Sequence, residues 1–147
     1  MALINTVSPE KAEGDMKEAY DMFMKNLGVI PKPLEMMSAS PAIFSYQLQR
    51  IQYYTNHPTL SFALLSHIRY LVAHNLNYSF CMDFNKLMLK KQGLEDDDIH
   101  KMEADPTKSL LEEKESALLA FVVKAVKAPN SVDADEINRL NRNGMDG

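Results

Sequence analysis

The run Leu60-Ser-Phe-Ala-Leu-Leu-Ser-His-Ile-Arg-Tyr-Leu-Val-Ala-His-Asn-Leu-Asn-Tyr-Ser-Phe-Cys-Met-Asp-Phe-Asn85 decides the reading of this chain. From Leu60 to Leu76 it is the most apolar stretch of the sequence, and it predicts a central helix buried on most of its surface. A further helical segment is expected from about Tyr78 to Gln92, stopping at Gly93. Strand signals are almost absent, with no sustained alternation and no Asn-Gly or Asp-Gly between apolar segments. The fold class is all-α.

The flanks read the same way. Ser8-Pro9 predicts a helix start, with Ser as N-cap and Pro at the first helical position. Ala12, Met16, Ala19, Tyr20, Phe23, Met24 and Leu27 keep the spacing of one buried face, closed by Gly28 in a left-handed conformation. Pro31 and Pro33 predict a short extended link. Ser40-Pro41 opens a second helix carrying Ile43, Phe44, Leu48, Ile51 and Tyr54. Asp96, Asp97 and Asp98 read as first-turn acids of a short helix reaching Met102, without the alternating ligands and closing Glu of a calcium loop. Beyond Pro106, residues Leu110 to Ala125 predict a long amphipathic helix that ends before Pro129. The last helix follows Ser131, carries Ile137 and Leu140, and stops at Gly144. Asp146 then resembles the cap of another helix, so either the chain is naturally short or it is truncated.

The bulk numbers bound the function. With 147 residues and no Ser/Gly linker or repeat, the chain reads as one domain over 1–147. Its net charge of −4 supplies no basic stripe to neutralise phosphates, which argues against nucleic acid as a partner. No segment approaches the ~20 apolar residues of a membrane span, and Met1-Ala2-Leu3-Ile4-Asn5 does not read as a signal peptide. Cys81 is the single cysteine and cannot form an intrachain disulfide, which fits a reducing compartment such as the cytoplasm. No metal-binding spacing and no Gly-rich phosphate loop occur, so no cofactor is expected.

If residues 60–92 formed one unbroken helix, His67, His74, Tyr78, Cys81 and Asn85 would lie within about 60° of each other, as cavity-lining side chains do. Asn75-Leu76-Asn77 argues for a break there, since Asn is a poor helix former and a good cap. A restart near Tyr78 puts Cys81 in the first turn of a new helix, where a thiol is activated. Against this, a lone Cys or His in an apolar helix is commonly only a core residue.

The segment Leu71 to Cys81 resembles the core signature of the alkylhydroperoxidase D-like / carboxymuconolactone decarboxylase family. That signature is an apolar helix, Val-Ala, Asn-Gly, then Cys-x-x-Cys with a His four residues on. Val7-Ser8-Pro9-Glu10 with Gly14 and Tyr20, Gly28-Val29-Ile30-Pro31, Gly93-Leu94-Glu95-Asp96, Glu113-Lys114-Glu115 with Ala117 to Phe121, and Val132 to Gly144 extend the likeness along nearly the whole chain. The resemblance implies a helical bundle subunit of about six to eight helices that assembles as a trimer or hexamer. In the thiol peroxidase branch two cysteines cycle between dithiol and disulfide while a His and a Glu relay protons. Here the second cysteine falls on Cys81, the first on Tyr78, the His on Asn85 and the Glu on Ser66. Neither Asn85 nor Ser66 titrates near neutral pH, and Tyr78 forms no disulfide, so the dithiol relay is closed within one chain.

Three functions follow as expectations. A one-cysteine, peroxidase-related oxidoreductase would use Cys81, with His74 and His67 as a rebuilt proton relay and an external thiol as reductant. A member with lost or altered catalysis would bind a small molecule. A carboxymuconolactone decarboxylase-like enzyme comes third, although Arg69 and Asp83 point away from the His67–Cys81 stripe. Met36, Met37, Phe44, Tyr46, Tyr53 and Tyr54 fit either a homo-oligomer interface or a core.

Overall fold

A computed structural model describes residues 3–145; Met1, Ala2, Asp146 and Gly147 lie outside it, and with them the reading of Asp146 as a cap and the first two residues of the segment that does not read as a signal peptide. The described residues form eight α-helices and no strand: α1 Gly14–Leu27, α2 Lys32–Met37, α3 Pro41–Thr55, α4 Phe62–Asn75, α5 Ser79–Lys91, α6 Asp96–Ala104, α7 Glu113–Lys127 and α8 Ala134–Arg142. The fold is all-α. No helix among the described residues is long and apolar enough to cross a membrane. The chain divides into two compact units, Met1–Asn56 and His57–Gly147.

In the first unit, Ala12, Ala19, Tyr20, Ile30, Leu34 and Phe44 form the core, and Tyr20 meets Phe44 edge to face at 5.7 Å. The extended segment before α1 is tied down by polar bonds. The Val7 amide donates to Ser38 Oγ at 2.7 Å, and the Tyr20 hydroxyl donates to the Val7 carbonyl at 3.0 Å. Ser8-Pro9 starts only a 3-10 turn, Pro9–Lys11, and not the first α-helix. Ala12 and Glu13 are extended, so Ala12 can turn into the core before Gly14 begins α1 at φ +55°. Pro31 and Pro33 do not make a purely extended link either. Pro33 falls in the first turn of α2, where its missing N–H has no partner to lose. Phe44 is core, whereas Met36, Tyr46, Tyr53 and Tyr54 are exposed.

In the second unit α4 is the central element. It packs against α5 and α7, and its Leu64, Tyr70 and Leu71 share a core with Leu89, Leu94, Ile99, Met102, Leu119 and Val123. The acids predicted at 96–98 open α6, and Asp98 closes a capping box with Glu95. On the surface Asp96 holds Lys86 and Lys90 of α5 at 2.8 and 2.7 Å. These two ammonium groups keep its carboxyl low, at about 2. α7 starts at Glu113 and not at Leu110, because Ser116 Oγ meets Ser109 Oγ and the Leu111 carbonyl and turns that segment back.

Tyr20→Phe is expected to lower stability by about 1 kcal/mol, the ordinary worth of one hydrogen bond. Phe44→Ala should cost roughly 3–5 kcal/mol through the cavity it leaves. Urea denaturation of both variants checks the ranking, and equal losses would contradict it.

Candidate functional site around Cys81

α4 ends where two asparagines follow each other closely. Asn75 closes the helix with its side-chain amide donating to the Leu71 carbonyl at 2.7 Å. Asn77 then takes φ +56°, the one left-handed non-glycine among the described residues. Its N–H reaches the His74 carbonyl at 3.2 Å, and the Tyr78 N–H reaches the Ala73 carbonyl at 3.0 Å. This pair of bonds is a Schellman turn, which satisfies carbonyls that the helix end would leave unpaired. Asn tolerates that conformation better than other non-glycine residues. The helix is therefore broken, and α5 starts again at Ser79 with Tyr78 as its N-cap residue.

The break decides where the cysteine stands. Cys81 is the third residue of α5 and half-buried. Its backbone carbonyl accepts from Asn85 Nδ2 at 2.7 Å, so Asn85 braces the first turns of α5. Ser66 is fully buried and donates to the Phe62 carbonyl at 2.8 Å. Tyr78 is 60% exposed.

The two histidines have different surroundings. His67 is 1% exposed, and its Nδ1–H donates to the Ala63 carbonyl at 2.8 Å. Its Nε2 is buried with no hydrogen-bond partner. Burial pushes this imidazole below its ordinary pKa, opposed by the Ala63 bond and the charge of Glu115. His74 stacks on Tyr70, with ring centroids 6.1 Å apart, and its Nδ1 lies 3.7 Å from Glu103 Oε1. That separation is within ion-pair range but too long for a hydrogen bond. The Tyr70 hydroxyl donates to the same Glu103 oxygen at 2.5 Å. Burial, that bond and the charges of Glu103, Asp96 and Asp83 hold the Tyr70 hydroxyl protonated far above its usual range.

Tyr70 and Glu103 join His74 in one polar cluster, for which no contact with Cys81 is found among the described residues. Tyr70 stands one turn before His74, so helical spacing alone could have flagged it. Glu103 arrives from α6, 33 residues from Tyr70, with no local pattern to announce it. Arg69 and Asp83 are exposed. Clefts open among the described residues. One of about 310 Å³ lies between the segment His57–Ser61 and the start of α7, and one of about 410 Å³ lies over Val7, Met16, Phe44 and Leu48. Cys81, His67 and His74 line neither. Among the described residues no three His, Cys, Asp or Glu side chains gather as metal ligands would.

Asn77→Ala should cost about 1 kcal/mol, since the left-handed conformation is penalised by roughly 1–2 kcal/mol in residues with a plain Cβ, while Asn77→Gly should be neutral or better. Thermal melts of both variants test this. A second prediction concerns pH. Below the ordinary imidazole pKa of about 6.5 the unfolded chain binds a proton that folded His67 declines. Stability therefore falls as pH drops through that value, until the folded imidazole also protonates. Wild type should lose more stability between pH 7.5 and 5.5 than His67→Gln, and parallel losses would contradict the burial argument.

Comparison with known proteins gives no match: no family model, no curated protein and no solved structure is significantly similar to this chain.

Proposed function

We propose that the chain is a one-cysteine thiol oxidoreductase of the alkylhydroperoxidase D-like kind, acting through Cys81. The observation that carries the reading is the half-buried thiol in the first turn of α5, set there by the Asn77 turn. The first turn of a helix carries backbone N–H groups with no intrahelical partner, so Cys81 stands at the positive end of α5. The Cys81 sulfur attacks one peroxide oxygen and the O–O bond breaks. The sulfur becomes a sulfenic acid and the departing oxygen leaves as an alcohol after taking a proton. A first external thiol then condenses with the sulfenic acid, releasing water and forming a mixed disulfide. A second thiol restores Cys81 and leaves as the external disulfide. The family resemblance further suggests a trimer or hexamer, and the reducing cytoplasm as the place that supplies those thiols.

The burial of His67 and the position of these two clefts, neither lined by Cys81, favour a second reading: a member that keeps the architecture and binds a small molecule with lost or altered catalysis. A decarboxylase-like activity draws no support from Arg69 and Asp83, both exposed.

Alkylation separates these readings. On the first, Cys81 reacts with a maleimide at pH 6.5 roughly tenfold faster than an unperturbed peptide cysteine, and peroxide yields a sulfenic acid that dimedone traps and Cys81→Ser abolishes. A thiol no faster than the peptide, with no dimedone adduct, rejects the oxidoreductase.

A further inference from the structure

The segment that leads into α4 is closed by one side chain. The Thr59 N–H donates to His57 Nδ1 at 3.2 Å, and the Leu60 N–H donates to the same nitrogen at 3.0 Å. The Thr59 hydroxyl lies 3.4 Å from it. Pro58, between them, has no N–H to offer. A backbone N–H only donates, so Nδ1 presents its lone pair and the ring is the neutral tautomer with its proton on Nε2. Leu60 in turn packs against the core of the second unit, and Ser61 caps α4 by accepting the Leu64 N–H at 3.0 Å. The chain thus enters its central helix through a turn held by an imidazole.

An Asn or Asp oxygen closes turns of this kind, because it stands as many bonds from the backbone as Nδ1 does. What histidine adds is a change of charge between about pH 5 and 8. An imidazolium carries a proton on both nitrogens and accepts no hydrogen bond. Protonation therefore takes the acceptor from both N–H groups at once and sets a donor against them. The charges across from the ring favour that second state. His57, Thr59 and Ser61 line a cleft of about 310 Å³ whose other side, at the start of α7, holds Glu112, Lys114 and Glu115. Two carboxylates face one ammonium there, and Lys114 lies 3.8 Å from Glu112. Residues 58–61 carry no ionisable side chain.

We propose that His57 is an acid-released clasp on the segment His57–Ser61. Neutral, it closes the turn that leads into α4. Protonated at Nδ1 by solvent, it lets go of Thr59 and Leu60 and turns toward Glu112 and Glu115, which loosens one wall of the cleft. The clasp is complete where the ring is neutral and is lost as pH falls. It does not depend on the chemistry of Cys81.

Amide hydrogen exchange in the purified full chain tests this, read at Thr59 and Leu60 from pH 7.5 to 5 and corrected for the intrinsic pH dependence of exchange. In wild type, protection at both amides is expected to fall roughly fivefold, the worth of one ordinary hydrogen bond. That fall should exceed any at Leu71, inside α4, which reports opening of the whole unit. His57→Asn offers an oxygen to the same N–H groups and does not titrate, so it should keep its protection throughout. His57→Ala should lack it throughout. Wild-type protection that does not change with pH overturns the proposal, and so does an equal fall in His57→Asn. If either variant does not fold or His57→Asn does not hold the turn, the nitrogen NMR shifts of the wild-type ring decide. Nδ1 should bear no proton at pH 7.5 and gain one where the protection falls; a proton on Nδ1 at pH 7.5 overturns the clasp. Glu112→Gln combined with Glu115→Gln is expected to move the fall to lower pH. An unmoved fall overturns the part given to α7 and supports the clasp alone.

Discussion

Removal of α4 from water is the constraint on which residues 57–145 depend. Leu64 and Leu71 are buried against Leu89, Ile99, Met102 and Leu119, drawn from α5, α6 and α7. Each such side chain gains roughly 1.5–3 kcal/mol on leaving water. A helix buried so thoroughly has to satisfy its polar residues from within. Ser66, His67 and Asn75 all do so by donating to the carbonyl four residues earlier. Asn85 and Gln92 repeat the device from α5. Polar side chains in this core are thus mostly consumed by their own backbone. That leaves few groups able to act on anything else.

His67 and His74 show how this sorting works. They stand two turns apart on one helix, and spacing alone would give them one role. His67 is buried, its Nε2 has no hydrogen-bond partner, and burial lowers its pKa. His74 stands in the last turn of α4, where α6 brings a carboxylate to its buried edge. The difference comes from the elements packed around each ring. Neither ring carries any sign of it in its own local sequence.

That contrast also marks how far the sequence could be read. The central helix, the stops at Gly28 and Gly93, the start at Ser40-Pro41 and the acids that open α6 were legible, because each rests on a backbone rule obeyed within a few residues. The break at Asn75-Leu76-Asn77 was legible for the same reason. Ser8-Pro9 misled because the start signal was sound but Ala12 was drawn into the core after a single 3-10 turn. At 110–112 apolar periodicity suggested helix, but Ser109 and Ser116 fold the chain back instead. Glu103 was out of reach, since its meeting with Tyr70 depends on how α6 returns across α4.

Three helices of the second unit end in the same pair of backbone bonds: α4 at Asn77, α5 at Gly93 and α8 at Gly144. At the latter two, the residue after the turn is anchored, Leu94 inside the core and Met145 packed against it. After Asn77 comes Tyr78, whose ring lies mostly in solvent. Its two backbone bonds therefore lack the greasy cover that shields the others. The turn that sets Cys81 at the start of α5 is thus held by its backbone bonds without the apolar anchor that Leu94 and Met145 give the other two.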